Sequence, residues 1–101
     1  MKIKAKYKFK IHKKSKKNLT WEEAKAYCKS LGDGWRMPTR VELLLMYEAK
    51  EEIGGFATDY YWSSTEDDND GIAWIQTFNP GYLDFYANKS DSNYVRAVKD
   101  C

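Results

Sequence analysis

Residues 3 to 11 alternate without a break, with Ile3, Ala5, Tyr7, Phe9 and Ile11 on one side and Lys4, Lys6, Lys8 and Lys10 on the other. A period of two is that of a half-buried β-strand. A basic linker from Lys13 to Asn18 follows, and then the period lengthens. Thr20 and Glu23 have capping-box spacing, which predicts a helix opening at Trp21. Its apolar stripe runs Trp21, Ala24, Tyr27, Cys28 and Leu31, with Gly32 as the left-handed stop. Asp33-Gly34 reads as a turn, and Pro38 stands one residue before a second capping box of Thr39 and Glu42. The second helix offers Val41, Leu43, Leu44, Met46 and Tyr47 to a core and loses its pattern near Gly54-Gly55. Beyond Tyr60 come short aromatic and β-branched runs, which predict strands at Tyr61–Ser64, Ile72–Phe78, Tyr82–Tyr86 and Tyr94–Lys99. Asp70-Gly71 and Asn79-Pro80-Gly81 are the turns that let them run antiparallel. The order specifies an α+β fold of two helices and a twisted antiparallel sheet, its first and last strands adjacent so that the termini meet.

At 101 residues the chain has room for one core, so it reads as a single domain, 1–101, with residues 1–18 as a basic strand and linker. With 43% hydrophobic and 16% aromatic residues, the composition is that of a folded chain rather than a disordered one. No apolar run reaches membrane-spanning length, and the early lysines interrupt every stretch an export signal would need. Expected locations are therefore a cytoplasm or, for a phage-encoded chain, a virion or host cytoplasm. The net charge of +2 hides an asymmetry. Nine lysines fall within the first seventeen residues, and the remainder carries a net −7. The strand lysines have two readings. They guard an exposed strand against edge-to-edge pairing, which is the favoured reading, or they form a track for nucleic acid or another polyanion.

Leu19-Thr20-Trp21-Glu22-Glu23-Ala24-Lys25-Ala26-Tyr27-Cys28 is followed by Gly34-Trp35-Arg36-Met37-Pro38-Thr39-Arg40-Val41-Glu42-Leu43. Then come Tyr61-Trp62-Ser63-Ser64-Thr65, Ala73 with Phe78 and Gly81, Lys89, and Tyr94-Val95-Arg96-Ala97-Val98-Lys99. This ordered set, spanning residues 19–99, resembles the bacterial and phage family known from the carboxy-terminal domain of a collagen-like adhesin (Lcl). The resemblance implies a C-type-lectin-like fold, shared with phage receptor-binding proteins and, more distantly, with formylglycine-generating enzymes. It implies binding, and its adhesin member suggests a sulfated polysaccharide ligand. It also implies a place for a disulfide from the first helix to the final strand, where Cys28 and Cys101 stand. With no export signal, both thiols could equally stay reduced.

The motif residues themselves read mostly as structure. Trp21, Trp35, Trp62 and Phe78 have the size of core anchors, and Arg36 and Arg96 can fork onto carboxylates or carbonyls. Ser63-Ser64-Thr65 lacks a base nearby in sequence, since the one histidine is His12. Two cysteines and one histidine are too few for an ordinary zinc site. The acidic run from Glu66 to Gly71 fails the EF-hand pattern at Glu66 and Thr77 and reads as a solvated loop, so neither metal nor cofactor is expected. Enzyme chemistry like that of the distant relatives would need paired active-site cysteines in a far larger domain.

Binding remains the expected function, with Tyr60, Tyr82, Asp84, Phe85, Tyr86, Asn88 and Lys89 as candidate contacts for a glycan or a protein receptor. Aromatic faces anchor such ligands, and polar neighbours set specificity. The alternative is docking on a host protein through the acidic face, or on a polyanion through Lys4, Lys6, Lys8 and Lys10. Exposed aromatics would also suit self-association.

Overall fold

The two capping boxes start both main helices where the sequence places them. In the computed structural model, which describes residues 9–68, 71–78 and 84–101, the chain enters through β1 (Phe9–Lys14) and then α1 (Trp21–Ser30). At the start of α1 the Glu23 amide donates to the Thr20 hydroxyl at 3.3 Å, and the Glu23 carboxylate accepts from the Thr20 amide at 3.0 Å. A two-residue strand, β2 (Trp35–Arg36), leads to α2 (Arg40–Glu48), capped the same way by Thr39 and Glu42. Next come α3 (Lys50–Ile53), β3 (Tyr60–Glu66), β4 (Ile72–Thr77), β5 (Asp84–Asn88) and β6 (Arg96–Asp100).

The α+β class holds, with differences of detail that include the unexpected β2 and a β5 that runs on to Asn88. The second expected helix is split, because Ala49 leaves helical geometry at φ −107° and ψ 18° and restarts the short α3. The expected single sheet is two antiparallel sheets, ordered β1-β6-β2 and β3-β4-β5. Finally, the strand expected from Tyr94 begins only at Arg96. Tyr94 instead bridges Tyr61 in parallel, its carbonyl accepting from the Trp62 amide at 2.8 Å, so residues 94–96 are where the chain crosses between the sheets. The first and last strands do pair, with Phe9 opposite Asp100 and Ile11 opposite Val98.

The core has two apolar clusters. Trp21, Cys28, Met37 and Trp62 build one with Ala73, Ile75 and Val95. Phe9, Leu43, Met46, Tyr61, Phe78 and Val98 build the other, beneath α2. Burial of an indole is favourable only if its N–H is satisfied. Trp21 Nε1 donates to the Ser63 carbonyl at 3.0 Å and Trp62 Nε1 to the Leu19 carbonyl at 2.7 Å, so each tryptophan also ties together distant parts of the chain. Arg96 is 7% exposed, its guanidinium 4.3 Å from the Phe56 ring, and it donates to the carbonyls of His12 and Gly54. The His12 carbonyl falls at the irregularity in β1–β6 pairing and so is available to it. Gly55 has φ +79°, a backbone conformation L side chains rarely adopt, and a Cβ at that position would stand 3.6 Å from the Arg96 guanidinium. Among the described residues no helix is long and apolar enough to cross a membrane.

Candidate binding cleft

The β3-β4-β5 sheet presents different chemistry on its two faces because successive residues of β4 alternate. Ala73 and Ile75 are buried, whereas Trp74 and Ile72 are partly exposed. Trp74 lies opposite Tyr86 in the register of β5, and the two rings meet edge to face at 5.5 Å. Arg40 also covers Trp74, its guanidinium 3.5 Å from the ring centroid. This ladder from α2 through β4 holds Tyr86, which remains 54% exposed.

Tyr86 forms part of the wall of a cleft of about 580 Å³. Tyr60 supplies a second aromatic wall, and Ile72, Ile75 and Ala87 provide apolar lining. Asn88, Asp91, Ser92 and Asn93 add short polar side chains. The polar segment is fixed by its backbone. Asn93 and Leu19 exchange amide–carbonyl bonds of 2.8 and 2.9 Å, the Asp91 amide donates to the Asn88 carbonyl at 2.9 Å, and the Lys89 amide donates to the Gly71 carbonyl at 2.8 Å. Such anchoring lowers the conformational entropy a ligand must remove on binding.

Of the candidate contacts, Tyr60, Tyr86 and Asn88 converge on this cleft. Asp84 and Phe85 belong to β5 by their backbone, opposite Gln76 and Ile75, and Tyr82 lies outside the described residues. Lys89 is engaged elsewhere, its ammonium 2.7 Å from the Glu66 carboxylate and 4.2 Å from the Trp21 ring. Asp91, Ser92 and Asn93 also line the cleft, and sequence reasoning misses them. Their only signal is a polar turn-forming run before Tyr94, which marks a loop without saying what faces it. Of the candidate polyanion track, Lys4, Lys6 and Lys8 lie outside the described residues, and Lys10 is exposed on β1 opposite Lys99.

The hydroxyls of Ser63 and Thr65 hold backbone in place. Ser63 is buried and donates to the Trp74 carbonyl at 2.7 Å, while the Thr65 hydroxyl accepts from the Arg40 amide at 3.0 Å. Cys28 and Cys101 are both free thiols, one buried and one exposed. Burial pushes the Cys28 thiol up to about 12. Among the described residues no group of three or more His, Cys, Asp or Glu side chains could hold a metal ion.

The family described as the Lcl C-terminal domain matches residues 4–99, taking in most of the lysine-rich amino-terminal segment as well as the motifs from Leu19 onward. The chain belongs to that family. No curated protein matches it closely enough to count as a relative. Among solved structures, this Lcl C-terminal domain is similar to EMS16, an antagonist of the collagen receptor integrin α2β1. The TM-score is 0.63 at 12% identity, over 92% of this chain and 90% of that one. The likeness shows a C-type-lectin-like fold.

Proposed function

We propose that this Lcl C-terminal domain is a non-catalytic binding module, encoded by a bacterium or a phage, which takes a sugar ring or a surface element of a receptor into the Tyr60–Tyr86 cleft. The observation carrying this reading is the convergence of two tyrosines with Asn88, Asp91, Ser92 and Asn93 around one concavity. Tyrosine faces pack against sugar rings or apolar side chains at low entropic cost, and short amide, hydroxyl and carboxylate groups choose among hydroxyl patterns. The resemblance to the carboxy-terminal domain of a collagen-like adhesin favours a glycan, and an integrin antagonist on a similar fold favours a protein receptor as the other ligand class.

The test is a glycan array that includes sulfated polymers, run beside a pull-down from cell-surface extract, with the wild type and Tyr86→Ala and Asp91→Ala variants. Loss of an aromatic anchor should weaken binding roughly tenfold or more. The melting temperature should hold, since Tyr86 is more than half exposed. Ligands retained at full affinity by both variants would remove the assignment.

A further inference from the structure

A second concave surface shares no lining residue with the cleft and has different chemistry. It encloses about 330 Å³ between α1, the β2 region and the outer end of β3. Trp21 and Met37, each 4% exposed, form its floor, and the partly exposed Trp35 forms a wall. Lys25 and Lys29 stand on its rim one helical turn apart, both exposed, with Lys25 Nζ 5.2 Å from the Trp21 ring.

The charges around the groove do not cancel. Arg36 is committed to Glu42 at 2.8 and 2.9 Å and to Asp100 at 2.7 Å. Glu66 feels Lys25, but its ion pair at 2.7 Å is with Lys89. Among the described residues neither Lys25 nor Lys29 makes an ion pair with a carboxylate. Two ammonium groups without a carboxylate partner therefore stand beside an indole and thioether floor.

We propose that this groove docks an acidic peptide segment of a partner protein, an apolar or aromatic side chain seating against Trp21, Trp35 and Met37 while flanking carboxylates meet Lys25 and Lys29. Residues one turn apart on a helix hold their Cβ atoms about 5–6 Å apart. Alternate residues of an extended peptide project side chains on one face at about 6–7 Å spacing, so two carboxylates of one strand can reach both ammonium groups. An apolar anchor gains from the floor, which a uniformly charged polymer would leave unused.

Selection of a random-sequence peptide display library on the full chain tests this. The expected result is enrichment of peptides carrying an apolar or aromatic residue flanked by Asp or Glu. Their affinity should fall with added salt and drop roughly tenfold or more in Lys25→Glu/Lys29→Glu. Trp35→Ala should weaken the same peptides, and Tyr86→Ala should leave them unchanged, which separates this groove from the cleft. Enriched peptides without an acidic bias, or affinity unchanged by the double charge reversal, would overturn the proposal. So would binding that survives Trp35→Ala but not charge reversal, since that describes a simple polyanion surface.

Discussion

Arg36 shows how one side chain can close a domain. It joins the start of α2, through Glu42, to the last strand, through Asp100. Burial pushes the Glu42 carboxyl up, but hydrogen bonds from Arg36 and the Thr39 amide outweigh it and hold it below the ordinary carboxylate range. Asp100 is lowered by its hydrogen bond from Arg36. Carboxyls depressed in the folded state contribute stability above their unfolded pKa and lose it as pH falls through the folded value. Acid titration of unfolding should therefore show stability falling below about pH 4.5 in the wild type, with a shallower fall in Arg36→Ala. At neutral pH that substitution should cost about 1–2 kcal/mol, between an exposed and a buried ion pair. The thiols give a second check at this scale. Cys28 is 1% exposed and held protonated by burial, whereas Cys101 is exposed. Alkylation of the reduced native protein should modify Cys101 alone, and both cysteines should react in denaturant. Zero reactive thiols in denaturant without reductant, in a chain that runs as a monomer, with two restored by reductant, would instead show Cys28 and Cys101 joined.

The helices were legible because their signals are local. A threonine hydroxyl and a glutamate three residues on satisfy orphan amides without help from the rest of the chain, and both boxes form. Thr39→Ala should cost about 1 kcal/mol, lowering the melting temperature by roughly 4–8 °C for a domain of this size, as a thermal scan would read. The split at Ala49 was not legible, since no Gly or Pro marks it. Nor was β2, a two-residue strand that exists only because β6 offers Lys99 and Val98 as partners for Trp35 and Arg36. The division into two sheets likewise depends on long-range pairing, because periodicity marks strands but not their neighbours. For the cleft, aromatics at Tyr60 and Tyr86 stood out in the sequence. Asp91 to Asn93 did not, because turn chemistry explains such residues equally well wherever they face. Lys89 illustrates the converse, as its position suggested ligand contact and the fold gives it Glu66 and Trp21.

Across the whole molecule, the two sheets meet where β3 hydrogen-bonds to the segment leading into β6, and the tryptophan N–H bonds reinforce that junction. A rigid junction leaves the polar loop at 91–93 as a fixed rim for the Tyr60–Tyr86 cleft, while the aromatic groove beside α1 carries the unpaired lysines. Two concavities of different chemistry on one small domain would let it engage a surface ligand and an acidic protein segment separately. The most direct measurement is an amide chemical-shift map recorded while the strongest glycan from the array, or the receptor recovered from surface extract, is titrated into the labelled protein. The account predicts the largest shifts at Tyr60, Tyr86 to Asn88 and Asp91 to Asn93. Shifts concentrated at Lys25, Lys29 and Trp35, or spread over Lys4, Lys6, Lys8 and Lys10, would contradict it.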